Sequence, residues 1–208
     1  MRTMSAIAVI DFETSGLMPE AGGRATEVAI VLTEAGRIVG RFASLMNAGV
    51  RIPPFITQLT GISNAMLSAA PPADQVMRDA ARFVGSLPLV AHNASFDRKF
   101  WQAELGRIGL KADRPFACTV LLSRRLYPLA PNHKLGTLAD FHALPRNGRA
   151  HRALSDAELP AELLLRMQAD LRERHRIVAP DHDFLQALQQ CGKAAVPRFL
   201  QRHAATPA

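Results

Sequence analysis

The sequence is poor in several features that would assign it to a specialised class of protein. Only two of its 208 residues are cysteine, and the spacing of Cys118 and Cys191 matches neither a disulfide framework nor a zinc site. No apolar run approaches the length of a membrane-spanning helix. The N-terminus lacks the basic segment and apolar run of a signal peptide. We therefore expect a cytoplasmic protein that does not associate with membranes.

Acidic residues are also in the minority, with 18 Asp and Glu against 25 Lys and Arg, so the formal net charge is +7. The hydrophobic fraction of 48% is that of a globular protein, and the length suits one domain with a sizeable core. A basic surface fits a polyanionic partner such as nucleic acid. The alternative is that the basic residues are spread over the surface and bind nothing in particular.

The order of the apolar segments predicts an α/β fold with a mixed central sheet. Strands at 6–14, 25–33 and 37–46 form an antiparallel meander, because a short turn at 34–36 separates the second from the third. Single strands then alternate with helices, which favours parallel pairing. The later strands are expected at 88–93 and 116–119, and the main helices at 72–87, 94–108, 119–127, 135–141, 155–174 and 183–191.

Three local expectations accompany these elements. Asn93 or Ser95 is expected to cap the helix at 94–108. Ser155 and Glu158 have the spacing of a capping box at the start of the next long helix. Pro160 is expected to distort that helix, because proline cannot donate a backbone hydrogen bond.

The first strand ends in two acidic residues, Asp11 and Glu13. Strand side chains alternate between faces, so these two carboxylates point the same way. Two adjacent carboxylates at the end of a buried strand repel each other, and a divalent cation such as Mg²⁺ would relieve that repulsion. The alternative is a strand that simply runs into a polar loop.

Three further candidates also lie at the ends of predicted elements. Asp97 and Asp156 fall in the first turns of two helices, where the helix dipole alone favours an acid. His151 lies in a loop, where a histidine is usually just solvated. Together with Asp11 and Glu13, however, these residues make the set of four carboxylates and one histidine that a two-metal phosphodiesterase site uses.

Three segments carry a resemblance to a known family. Residues 9–17, 89–97 and 151–157 resemble, in order, the three motifs of the DnaQ-like, DEDDh-type 3′→5′ exonucleases, the third in its H-x4-D form. This family includes the proofreading epsilon subunits of bacterial DNA polymerase III. The resemblance covers residues 5–172 and implies a ribonuclease H-like fold. We therefore expect an exonuclease domain at 1–176 and a C-terminal extension at 177–208, with one helix and a frayed end.

The resemblance implies the chemistry of the site. Asp11, Glu13, Asp97 and Asp156 would hold two Mg²⁺ or Mn²⁺ ions, and His151 would take a proton from the attacking water. The substrate would be a single-stranded or frayed 3′ end of DNA, hydrolysed to nucleoside 5′-monophosphates. A DNA polymerase is a candidate partner.

Contacts with the terminal nucleotide are expected from the neighbouring residues. Phe12 and Phe96 would stack on or wedge against bases, although a place in the core explains Phe12 equally well. Thr14 would bind the sugar-phosphate.

The segment at 56–62 resembles the family segment that lines the substrate's 3′ end. There Gly61 would allow close backbone approach and Ile62 would wedge between bases. His92 and Asn93 would hold phosphate or order Asp97, unless they only end a strand. The arginines flanking His151 would follow the phosphate backbone, unless their loop is only solvated; they are Arg146, Arg149 and Arg152.

Two other functions remain open. A 3′→5′ exoribonuclease would use the same metal chemistry, and the sequence does not show contacts to a 2′-hydroxyl. A non-catalytic nucleic-acid-binding module of the same fold would be expected to have lost at least one acid or the histidine, and all five residues are present.

Overall fold

A five-stranded mixed sheet lies at the centre of the protein. The computed structural model describes residues 5–145 and 153–205, and for residues 153–156 it describes the backbone alone. The strands are β1 (Ile7–Thr14), β2 (Ala25–Glu34), β3 (Arg37–Leu45), β4 (Leu89–Ala91) and β5 (Phe116–Cys118). Their order across the sheet is β3-β2-β1-β4-β5. β1, β2 and β3 pair antiparallel, whereas β1, β4 and β5 pair parallel, which confirms the predicted mixed sheet.

Helices cover both faces of this sheet. They are α1 (Pro54–Thr60), α2 (Asn64–Ala69), α3 (Ala73–Val84), α4 (Ser95–Arg107), α5 (Thr119–Leu126), α6 (Leu135–Phe141), α7 (Ala153–His175), α8 (His182–Gln190) and α9 (Val196–His203). Each predicted helix and strand is present, with ends that shift by at most a few residues.

The alternation of strand side chains creates two hydrophobic cores. On one face, Val9 and Val31 pack with α7 residues such as Leu164. On the other face, Ile10 and Ile30 join α3 and α4, together with the fully buried Trp101 and Met77. Because β1 is buried on both faces, the acids at its end are held on a rigid support.

Two expectations about helix starts are wrong. α7 begins at Ala153, so Ser155 lies inside its first turn and is not the N-cap. α4 has Ala94 at its N-cap position and no side-chain cap. The backbone carbonyl of Asn93 accepts from the N–H of Phe96 at 3.0 Å and takes the place of a capping side chain. α7 continues through Pro160 without a break.

The C-terminal residues are more ordered than expected. α9 was not predicted, and the segment was expected to fray, yet Phe199 and Leu200 of this helix are buried. They belong to the same hydrophobic cluster as Val9 of β1 and Leu188 of α8. The cause is the amphipathic pattern of α9, whose apolar residues face the core beside α8.

α8 also contacts the sheet directly through two glutamine side chains. The carbonyl of Phe116 accepts from the amide nitrogens of Gln186 at 3.0 Å and Gln189 at 3.2 Å. The N–H of Cys118 donates to the side-chain oxygen of Gln189 at 2.7 Å. No helix within residues 5–145 and 153–205 is long and apolar enough to cross a membrane.

Candidate active site

The first two acids of the site lie at the carboxyl end of β1. Asp11 and Glu13 are half-buried, and strand alternation places both on the face that α7 covers. Across the antiparallel pair, Asp11 is opposite Ala29 and Glu13 is opposite Glu27. The predicted shared direction of these two carboxylates is therefore consistent with the register of the sheet.

Asp97 joins β1 from the first turn of α4. Its side chain is 2% exposed, and Oδ1 accepts a hydrogen bond from the backbone N–H of Phe12 at 3.2 Å. This contact places the Asp97 carboxyl beside the residue that separates Asp11 from Glu13. The pKa of Asp97 is raised to about 8, mainly by burial and in smaller part by the negative charge of Glu13. Hydrogen bonds from the backbone N–H groups of Phe12 and Asp97 act in the opposite direction, because they stabilise the ionised carboxylate. Without a cation, this environment therefore favours the protonated form of Asp97.

The two remaining predicted residues, His151 and Asp156, lie close to the start of α7 in the sequence. The backbone of Asp156 lies in the first turn of this helix, which packs against β1 and β2. The side chain of Asp156 and the whole of His151 lie outside the described residues. Among the side chains that the structure does describe, no three Asp, Glu, His or Cys residues form a ready-made metal cluster.

The described acids nevertheless fit a hard divalent cation. Carboxylate oxygens are the ligands that Mg²⁺ and Mn²⁺ prefer. A buried acid whose pKa is raised by burial and by a neighbouring carboxylate is stabilised in its ionised form by an added positive charge. Asp97 meets this condition, Asp11 and Glu13 add two carboxylates at the end of β1, and Asp156 is the candidate for the fourth ligand.

His92 and Asn93 lie in the turn between β4 and α4. Nδ1 of His92 lies 2.9 Å from the hydroxyl of Thr119, and burial lowers the pKa of His92 to about 4. His92 is therefore a neutral side chain that connects β4 to the start of α5. Asn93 has φ 67°, in the left-handed region that asparagine tolerates better than most residues, and this turn leads directly to Asp97.

The predicted stacking residues differ in their exposure. Phe12 is 4% exposed and packs against Phe100 in the core, with ring centroids 6.5 Å apart. Phe96 is half-buried, and its ring lies 5.0 Å from that of Phe100. Phe12 is therefore a core residue, as the alternative interpretation of the sequence proposed. Phe96 keeps a partly accessible surface. Thr14 is buried, and its hydroxyl donates to the carbonyl of Gly16 at 2.8 Å.

Of the two residues beside α1 that were expected to contact the substrate, Gly61 is exposed and Ile62 is buried. Gly61 ends α1 with φ 71°, and the space where a Cβ would lie is open. Ile62 is fully buried in a small cluster with Ile52 and Leu67, so it offers no surface to a base in this structure. The physical reason is the turn at Gly61, which directs the next side chain inward.

A buried ion pair beside the site was not anticipated. Arg24, immediately before β2, makes two hydrogen bonds of 2.9 Å to Glu104 of α4, and Glu104 also accepts from the N–H of Ala25 at 3.1 Å. Asp97 and Glu104 lie seven residues apart and so share one face of α4. The two acids thus attach α4 to the end of β1 and the start of β2.

Glu27 is a second residue that the motif analysis missed. It is 4% exposed and directly opposite Glu13. An isolated acid within the apolar segment 25–33 is the sequence signal that would have identified it.

Comparisons with known proteins identify the family of this chain. The family model RNase_T, described as an exonuclease, matches residues 8–164. A PolC-type DNA polymerase III from Halalkalibacterium halodurans is 37% identical over 171 residues, which are 82% of this chain and 12% of the polymerase. The epsilon subunit of DNA polymerase III from Aquifex aeolicus is 35% identical over 164 residues and is covered over 80% of its length.

A solved structure supports the same assignment. The structure of exonuclease X in complex with 5′ overhanging duplex DNA has a TM-score of 0.64 and 31% identity, with coverage of 78% of this chain and 91% of that one. The expected ribonuclease H-like fold is thereby confirmed. Because the chain spans only 12% of the PolC-type polymerase, the activity of that whole protein does not transfer. The chain belongs to the RNase_T exonuclease family, the DnaQ-like group that its three motifs resemble.

Proposed function

We propose that the protein removes nucleotides from the 3′ end of DNA by metal-dependent hydrolysis. The observation that carries this proposal is the contact of Asp97 with the Phe12 N–H, between Asp11 and Glu13. It brings three of the four motif acids to one edge of the sheet, although they come from two distant parts of the chain. Membership of an exonuclease family supports the reaction class.

The roles of the residues follow from their chemistry. Asp11, Glu13, Asp97 and Asp156 would hold two Mg²⁺ or Mn²⁺ ions, which activate water and stabilise the leaving oxygen of a phosphodiester. His151 would accept the proton of the attacking water, because imidazole has an ordinary pKa near 6.5. The rigid β1 would keep Asp11 and Glu13 in place during the reaction.

The substrate class is inferred from the relatives. Exonuclease X, at 31% identity, was solved with 5′ overhanging duplex DNA, and the Aquifex relative is a DNA polymerase III subunit. These two similarities favour DNA over RNA. They also make a DNA polymerase a candidate partner. If the protein proofreads for a polymerase, it should hydrolyse a mismatched 3′ end faster than a matched one.

The direct test compares three substrates, each labelled at its 5′ end: single-stranded DNA, duplex DNA with a mismatched 3′ terminus, and RNA. We expect progressive shortening of the DNA substrates with Mg²⁺ or Mn²⁺, little turnover with Ca²⁺, and none in excess EDTA. Full activity in EDTA would refute the metal mechanism. Faster hydrolysis of RNA than of either DNA would replace DNA with RNA as the substrate.

A pair of variants separates the roles of His151 and Asp156. His151→Ala should lower turnover by about 10²–10⁴-fold, because a general base is lost, while binding of Mn²⁺ persists. Asp156→Ala should also weaken Mn²⁺ binding, because a ligand is lost. Isothermal titration with Mn²⁺ and pH–rate profiles of both variants provide the measurement. Loss of Mn²⁺ binding in His151→Ala but not in Asp156→Ala would reverse the assignment.

A further inference from the structure

A cleft of about 460 Å³ lies near the C-terminal end of α7, whereas the candidate active site lies near its start. The ends of α5 and α7 and the start of α9 bound this cleft; its lining residues are Arg125, Leu126, Pro128, Arg174, His175, Val196, Pro197, Leu200 and Gln201. Arg174 follows Asp156 by 18 residues of the same helix, which corresponds to about 27 Å along the helix axis. The cleft is therefore separate from the acids at the end of β1.

The lining residues of this cleft divide into an apolar set and a basic set. Val196 and Leu200 are each 6% exposed and belong to the hydrophobic cluster beneath α9, so their outer surfaces form an apolar floor. Arg125 is half-buried, and the side chain of Arg174 is 60% exposed. Every ionisable residue among the described lining residues is basic. A ligand that complements this cleft therefore combines apolar groups with negative charge.

Contacts with the protein hold both guanidinium groups in place. Arg125 donates from Nε to the carbonyl of Cys191 at 2.9 Å and from Nη1 to the carbonyl of Leu121 at 2.7 Å. Nε of Arg174 lies 3.1 Å from the carboxylate of Asp170, which is 2% exposed. Arginine carries five N–H donors, and these contacts use one or two of them in each residue. The rest of each planar group is thereby positioned in advance, which lowers the entropy cost of binding a carboxylate.

Two further features favour a protein ligand over nucleic acid. Leu129 follows the lining residue Pro128 and is 89% exposed, the highest value among the large hydrophobic side chains that the structure describes. It extends the apolar surface beside the cleft, and contiguous exposed apolar surface is typical of sites that bind proteins. None of the described lining residues is a Phe, Tyr or Trp that would stack on a base.

We propose that this cleft binds an acidic segment of a partner protein through one or two apolar side chains. The apolar side chains fill the space between α5 and α9, and neighbouring Asp or Glu side chains pair with Arg125 and Arg174. The volume of the cleft lies within the range of about 300–1,000 Å³ that ligand pockets occupy. Because the cleft is distant from Asp156, a bound partner leaves the acids at the end of β1 accessible.

Most of this cleft lies outside the part of the chain that the family shares. The family model ends at residue 164, and all the lining residues from α7 and α9 follow it. The backbone N–H of Ala205 donates to the carbonyl of Arg176 at 2.9 Å, which joins the end of α9 to the end of α7. In this proposal, the C-terminal segment adds a docking site to the exonuclease domain.

The test uses a panel of fluorescent peptides in which a pair of apolar residues is flanked by glutamates on both sides. The pairs are Leu-Leu, Leu-Phe, Ile-Leu and Val-Leu. Binding to the full chain is measured by fluorescence anisotropy at moderate salt in EDTA. Two control panels have the same design, one with lysine in place of glutamate and the other with serine in place of the apolar pair. We expect at least one acidic apolar peptide to bind more tightly than both of its controls.

Two variants locate the binding on the protein. Gln201→Glu places a negative charge in the cleft, and Arg174→Ala removes a cation from it, while Asp170 keeps its other hydrogen bonds. Gln75→Glu and Arg82→Ala are the matched controls, because they make the same changes on α3, at the other face of the sheet. Each cleft variant should weaken binding of the peptide by about 10–100-fold, and the controls should match the wild type. Circular dichroism checks that each variant is folded.

Nuclear magnetic resonance of isotope-labelled protein shows where the peptide binds. We expect the peptide to shift the amide signals of residues 174–175 and 196–201, and single-stranded DNA not to displace it. Displacement by DNA would overturn the proposal in favour of a nucleic-acid site. A dimer of the chain that Gln201→Glu dissociates would instead assign the cleft to a second copy.

Three other results would also overturn the proposal. They are the absence of binding by every acidic apolar peptide, equally tight binding of the lysine or serine panels, and equal weakening by the α3 controls. None of these measurements depends on hydrolysis of DNA. Failure of the docking proposal and failure of the exonuclease proposal are therefore distinguishable.

Discussion

Removal of Glu104 should reveal how strongly α4 is held to the sheet. Its carboxylate is 2% exposed and binds both Arg24 and the N–H of Ala25. Glu104→Ala leaves the Arg24 guanidinium, which is 20% exposed, with the carbonyl of Ala48 as its hydrogen-bond acceptor. Breaking a buried ion pair by removing one partner costs about 3–5 kcal/mol. Because Arg24 retains some access to water, we expect the lower part of that range.

The measurement is urea unfolding at neutral pH in EDTA, followed by circular dichroism. The matched control is Arg82→Ala, which breaks an ion pair with Asp79 of the same 2.9 Å length on the surface of α3. Such exposed pairs contribute about 0–1 kcal/mol. Glu104→Gln should lie between the two, because its side-chain oxygen still accepts from Ala25.

A double variant completes the experiment. Arg24→Met with Glu104→Leu should cost less than the sum of the two single changes, because neither buried charge is left unpaired. Additive effects, or a loss below about 1 kcal/mol for Glu104→Ala, would show that the pair does not secure α4. Because α4 carries Asp97, Glu104→Ala should also weaken Mn²⁺ binding, whereas Arg82→Ala should not.

Two further predictions concern Asp97 and the C-terminal segment. Because burial raises the pKa of Asp97 from 3.8 to about 8, the stability that this shift contributes to the metal-free protein is present below pH 3.8 and is lost as the pH rises through about 8. Thermal unfolding in EDTA should show this loss between about pH 4 and 8 in the wild type alone, since Asp97→Asn removes the ionisation; parallel curves for the two proteins would contradict it. Deletion of residues 177–208 should prevent cooperative unfolding, because it removes buried side chains such as Leu188 and Phe199 that are each worth about 2–5 kcal/mol, against a total stability of about 5–15 kcal/mol. A sharp thermal transition of the truncated chain would show that the segment is dispensable.

The parts of the structure that could be predicted from sequence depend on local pattern. The apolar run before Asp11 and the turn at 34–36 predict β1 and the meander, because burial and turn chemistry act over a few residues. The placement of Asp97 followed from its position in a first turn, once β4 and β1 were taken as neighbours. The family motifs then predicted which acids belong together.

The parts that could not be predicted depend on contacts between distant residues. Arg24 and Glu104 are 80 residues apart, and each alone has the appearance of a surface charge in the sequence. Ile62 looked available to substrate, but the left-handed turn at Gly61 buries it. α9 is too short for its apolar pattern to stand out, and only its packing beside α8 shows what it does.

The two glutamines of α8 have a consequence for solubility. β5 is the last strand of its side of the sheet, so its outer backbone groups would otherwise be open to pairing with a strand of another molecule. A glutamine side chain carries the same donor and acceptor as a peptide group. Gln186 and Gln189 supply these groups to Phe116 and Cys118, and α8 thus occupies the place where a sixth strand would add. α8 therefore prevents a strand of another molecule from pairing with this edge of the sheet.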